Sequence, residues 1–171
     1  MVAAVISTFG MALVHLFIGL IGSVVSVFLG MRLINKMTGH VDEWSELKKG
    51  NAAIGILFVS VIIAILIMIA PTAILSINLI QSFKPAGTFF VNVVIVFINI
   101  LLSALFSIFT LYLGFQIADR LTFDINELSE LKKGNVAVAL MISAILLGLA
   151  FVTTASITEI VSVINLVGFV K

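Results

Sequence analysis

No cysteine occurs in the 171 residues. Disulfides, thiolate metal sites and cysteine nucleophiles are therefore excluded, and the redox compartment stays open. Charge is nearly as scarce. Asp, Glu, Lys and Arg make up 10% of the chain, and the net charge is +1. So small an imbalance leaves no electrostatic footprint for nucleic acid. With two histidines in all, the chain displays no nucleophile–base pair and no ligand cluster. No catalytic residue, cofactor or metal site is assigned, and the expectation is a non-enzymatic protein. What remains is apolar: 62% of residues are hydrophobic and the mean hydropathy is +1.35, outside the range of soluble domains.

The charges are also absent from long runs. Met1–Met31, Gly50–Phe83, Pro85–Ala118 and Gly134–Thr158 contain no Asp, Glu, Lys or Arg. A membrane-crossing helix needs about 20 apolar residues, so each run is read as one transmembrane helix. A signal peptide would need a basic start and a shorter apolar core of about 7–15 residues, and the first run has neither. Runs this long imply tilt, or ends that reach the headgroups. Backbone groups in hydrocarbon must be satisfied internally, so four such segments predict an all-α integral membrane bundle.

The chain is organised around a stretch that occurs twice. Glu43-Trp44-Ser45-Glu46-Leu47-Lys48-Lys49-Gly50-Asn51 returns 84 positions later as Glu127-Leu128-Ser129-Glu130-Leu131-Lys132-Lys133-Gly134-Asn135, with eight of nine residues identical. The halves align without a gap, which predicts tandem duplication of a two-helix hairpin: repeat 1 over 1–84 and repeat 2 over 85–171. Two spans per repeat bring the second hairpin in with the orientation of the first. The repeats are then parallel, related by a pseudo-two-fold axis along the membrane normal.

Seven of the nine basic residues lie in the first and third connections, at 35–50 and 119–134 with their flanks: Arg32, Lys36, Lys48, Lys49, Arg120, Lys132 and Lys133. The positive-inside rule puts both connections in the cytoplasm and both termini outside, as in a cell (inner) membrane protein. Val41, Trp44 and Leu47, and again Ile125, Leu128 and Leu131, sit at i, i+3, i+6, the pattern of a short interfacial helix. Gly50-Asn51 and Gly134-Asn135 end that helix, and Asn is a good cap for the next. The Lys pairs serve anchoring, with a cytoplasmic partner protein as the competing role. His40 has no visible metal partners, and the acidic residues Asp42, Glu43, Glu46, Asp124, Glu127 and Glu130 read as a solvated face.

The element Glu130-Leu131-Lys132-Lys133-Gly134-Asn135-Val136-Ala137, with Glu46-Leu47-Lys48-Lys49-Gly50-Asn51-Ala52-Ala53 in the first half, resembles the YjfL-like family of small prokaryotic inner-membrane proteins. The resemblance covers nearly the whole chain, since both halves carry the element. It implies a four-helix membrane protein and carries no activity with it.

Within the spans, Thr8, His15, Gly19, Ser23, Ser26 and Gly30 share one face of the first helix. Their counterparts 84 positions on are Asn92, Asn99, Ser103, Ser107, Thr110 and Gly114. Small residues let backbones approach, and hydroxyls and amides can bond across the contact. Gly19, Ser23, Ser26, Gly30 and Gly114 are assigned to helix packing. The expectation is that helices one and three meet at the pseudo-axis, with His15 near Asn99. Pro71 predicts a kink in helix two. Glu159 lies 24 residues past Asn135, about 36 Å of helix at 1.5 Å per residue, which predicts headgroup depth.

Two functions follow. The first is an oligomeric protein with a polar transmembrane path for ions or small solutes, lined by His15, Asn92, Asn99, Ser103, Ser107 and Thr110. A single four-helix chain leaves little room for a pore, so a homo-oligomer is the expected partner arrangement within the lipid bilayer. The second is a membrane anchor or scaffold whose duplicated Glu/Lys loops, with Glu46, Lys48, Lys49, Gly50, Asn51, Glu130, Lys132, Lys133, Gly134 and Asn135, dock a partner.

Overall fold

The computed structural model describes residues 2–37, 43–82, 89–122 and 126–167. Side chains are described at 9–10, 12–14, 16–32, 44–75, 91, 93–122 and 126–163. The described residues form α1 (Val2–Met37), α2 (Glu43–Lys48), α3 (Ala52–Ser82), α4 (Phe89–Leu121), α5 (Glu127–Lys132) and α6 (Val136–Val167). Four of these are long and apolar enough to cross a membrane, over Ala12–Arg32, Ala52–Leu75, Val93–Leu121 and Val136–Val163. The long helices run three residues into the expected connections, because α1 continues to Met37 and α4 to Leu121. α3 passes through Pro71 without a break.

The most extensive packing is between α3 and α6, not between α1 and α4. This corrects the expected axis. The Ser143 hydroxyl donates to the Ser60 hydroxyl at 3.0 Å, and further along Thr153 Oγ1 lies 3.6 Å from Met68 Sδ. Contacts that advance together along both helices mean that α3 and α6 run in the same direction. Ile65, Met68 and Ile69 of α3, Leu111 of α4, and Ile142 and Leu146 of α6 form the fully buried centre. Lipid is as apolar as leucine, so helix association depends on close fit rather than on hydrophobicity. α3 supplies that fit on several sides, and half of its span is buried.

α1 lies at the edge, with only 6% of its span buried. It rests in the groove between α3 and α4. Ile65 of α3 fills the space beside Gly30, and a Cβ on Gly22 would lie 2.6 Å from Ile100 Cγ2 of α4. Ser26 between them is buried and donates to Gly22 O. Gly114, the counterpart of Gly30, instead receives Leu146 and Leu149 of α6. Two equivalent glycines thus accommodate different helices. Each is filled by whichever branched side chain lies opposite.

Candidate functional site

The duplicated stretch folds into the same joint twice. In α2, Gly50 N–H donates to Leu47 O and Asn51 N–H to Glu46 O, both at 3.0 Å. This is a Schellman closure, which needs a left-handed residue at its turn. Gly50 fills it at φ 78° and Gly134 at φ 81°. Asn51 then begins α3, its Oδ1 accepting from the amides of Ala53 and Ile54 at 3.1 and 3.3 Å. Asn135 does the same for Ala137 and Val138. The glutamate three residues before the second lysine holds each joint from outside. Glu46 accepts from Lys49 Nζ at 2.7 Å and from Asn51 Nδ2 at 3.1 Å. Glu130 accepts from Lys133 and Asn135 at 2.7 and 2.8 Å.

These bonds shift the two glutamates alike. Lys49 and then Asn51 hold the Glu46 carboxyl below the usual range, and Asn135 and then Lys133 do so for Glu130. Glu46, Lys49, Gly50 and Asn51, and Glu130, Lys133, Gly134 and Asn135, are therefore engaged in turning a polar helix into an apolar one. Lys48 and Lys132 are left exposed. Leu131 is buried in the core, and Leu47 packs against the same core. Trp44 is exposed and meets Phe58 edge-on at 5.7 Å. Val41, Ile125 and His40 lie outside the described residues.

The joints are tied to each other. Asn51 Nδ2 also donates to Leu131 O at 2.9 Å and to Lys132 O at 3.3 Å. These carbonyls end α5, where a helix leaves acceptors without partners in its own ladder. The turn after α2 and the end of α5 consequently sit side by side. Nothing in one sequence marks this bond, because both asparagines fit their local joints equally well.

A second feature escaped the pattern. The Glu127 carboxyl is buried and accepts from the Thr122 hydroxyl. Burial, then the hydrogen bond and negative charge of Asp119, push Glu127 up to about 7. Asp119 falls on Asn35 of the first half, so only the second half carries this carboxyl pair.

The polar stripe lies on α4. Asn99, Ser103 and Ser107 are completely buried and Thr110 nearly so. Ser103 Oγ donates to Asn99 O at 2.8 Å and Ser107 Oγ to Ser103 O at 2.7 Å, so both hydroxyl protons are satisfied within the helix. The side chains of His15, Asn92 and Thr8 lie outside the described residues. Of the packing positions on α1, Ser26 and Gly30 are buried, while Gly19 and Ser23 are half-buried. Among the described residues nothing lies within 4 Å of a Cβ built at Gly19. The close-approach face is Gly22, Ser26 and Gly30, and their spacing of four was the signal for Gly22. Glu159 is exposed near the far end of α6, beside a groove of about 400 Å³ with Ser156, Ile160 and Val163.

Four long apolar helices joined by two capped polar turns define a multi-pass membrane protein. The family model described as Domain of Unknown Function (DUF350) matches residues 4–104 and again 90–170. The chain belongs to that family. No curated protein and no solved structure matches it.

Proposed function

We propose that this protein is a non-enzymatic scaffold of the prokaryotic inner membrane, built by duplication of a helical hairpin. Its two Glu/Lys connections form one cytoplasmic docking face for a partner protein. The observation that carries this reading is the bond from Asn51 to the Leu131 and Lys132 carbonyls. It joins two turns 84 residues apart, and Lys48 and Lys132 beside it are exposed. The YjfL-like resemblance is compatible with the DUF350 membership, and the parallel repeats agree with α3 and α6 running in one direction. The basic residues orient the termini outside.

The experiment is charge reversal at Lys48 and Lys132, which leaves the Lys49–Glu46 and Lys133–Glu130 pairs of the joints in place. The expected outcome is loss of a cytoplasmic partner that co-purifies with the unaltered protein, with thermal stability retained by the variant. Retention of that partner would overturn the docking face.

A polar transmembrane path is the second reading. It is favoured by the complete burial of Asn99, Ser103 and Ser107 on one face of α4, since polar groups at membrane depth are costly and by default functional. It ranks lower because both serine hydroxyls are engaged by their own helix. Liposome flux of protons and monovalent cations above that of empty vesicles, abolished by Asn99→Leu, would reverse the order.

A further inference from the structure

α3 and α6 are counterparts in the two halves, yet they meet through non-equivalent faces. α3 presents Ser60 and Met68 to Ser143 and Thr153 of α6. Positions 84 after Ser60 and Met68 are Ala144 and Val152, which lie elsewhere on α6 and are exposed. Around a helix of 3.6 residues per turn, the face used by α6 lies roughly opposite the one used by α3. The contact is therefore front to back, and one front and part of one back are left over.

The leftover front is on α6. Ser60, Ala64, Met68 and Thr72 of α3 are at most 4% exposed. Their counterparts are Ala144, Gly148, Val152 and Ser156, all exposed, with Val152 at 71%. Among the described residues nothing lies within 4 Å of a Cβ built at Gly148. The leftover back is on α3. Ser143 and Ala150 of α6 are buried, whereas their counterparts Val59 and Leu66 are 54% and 39% exposed; the counterpart of Thr153, Ile69, is buried in the core, so the α3 back is bare over Val59 and Leu66. The bare front of α6 and the bare part of the α3 back correspond in part to the two sides of a contact the chain already makes once.

We propose that the exposed Ala144/Gly148/Val152 face of α6 binds the Val59/Leu66 face of α3 in a second copy of this chain. The inference rests on the reading of the two halves as repeats. Copies inserted in one bilayer share their orientation, so α6 and the neighbour's α3 run in the same direction, as they do within the chain. Such a contact uses different surfaces on its two sides. It continues from copy to copy and closes as a ring when the rotation permits. Small residues on the α6 side admit branched side chains from the α3 side, a fit that drives helix association in lipid.

The absence of cysteine makes the test direct. Chains carrying Val59→Cys and chains carrying Ala144→Cys are reconstituted together in lipid and oxidised. The expected result is a cross-linked dimer that holds one chain of each kind, with neither variant cross-linking alone. Gly148→Leu added to the Ala144→Cys chain should lower the yield at least fivefold without changing the unfolding temperature. Cross-linking of Ala144→Cys alone would replace this contact with a symmetric α6–α6 one. No cross-link in the mixture, or a yield insensitive to Gly148→Leu, would also overturn the proposal. None of these outcomes bears on the lysine face, which the charge reversals test separately.

Discussion

The joint at Glu46–Asn51 and the joint at Glu130–Asn135 make the same local hydrogen bonds, but only one of them reaches across the molecule. Asn51 holds the end of α5. Among the described residues Asn135 donates only to Glu130. The helices that leave the joints differ in the same way. Half of the α3 span is buried, against a third of the α6 span. Identical local sequence therefore guarantees an identical turn, whereas neighbours decide which of two identical turns also becomes a clasp.

Four substitutions sharpen this contrast. Asn51→Ala removes a cap, worth about 1 kcal/mol, together with a partly buried bond to α5 of about 1 kcal/mol. Thermal or denaturant unfolding in lipid should show about 2–3 kcal/mol lost, against about 1 kcal/mol for Asn135→Ala. Equal losses would mean that the clasp contributes nothing. Gly22→Ala drives a methyl into Ile100, whose branched side chain has one preferred rotamer in a helix. About 1–3 kcal/mol should be lost, as in other overpacked contacts. Gly148→Ala should stay within about 0.5 kcal/mol, as surface changes do.

Gly50→Ala and Gly134→Ala probe the sameness of the joints. Each forces a side chain into the left-handed region at about 1–2 kcal/mol, and the two losses should agree. A gap larger than the measurement error would show that the joints are not equivalent even locally.

The smallest effect separates the halves by pH. Glu127 is raised from its ordinary value of 4.5 to about 7. The folded chain thus holds a proton that the unfolded chain has lost over that interval. Its contribution to stability is fully present below about pH 4.5 and is lost as pH rises through about 7. The unfolding temperature should decline across this range, and Asp119→Asn should move the decline toward the usual carboxylate range. A profile unaffected by that substitution would separate Glu127 from Asp119.

Much was legible because it rests on local chemistry. Glu-Leu-Lys-Lys-Gly-Asn spells a short helix, a left-handed stop and a cap, and both copies fold so. The spans are visible because charge is excluded from hydrocarbon. Gly22 was missed because Gly19 and Ser23 satisfied the repeat alignment, yet Ile100 enters beside Gly22. The carboxyl pair was hidden because Asp119 and Glu127 lie eight residues apart across the end of a helix. That distance means nothing until α5 folds back.

Composition and the repeated stretch alone determine a four-span helical membrane protein with two capped polar turns. Hydrophobic length and backbone capping act within a few residues, and no distant contact is needed to specify them. Which helices form the centre, which asparagine clasps its neighbour and which face of α6 stays bare were decided only by tertiary packing. In lipid every apolar face is equally content with solvent, so the choice falls to the fit of particular side chains, such as Ile65 beside Gly30 or Ser143 against Ser60.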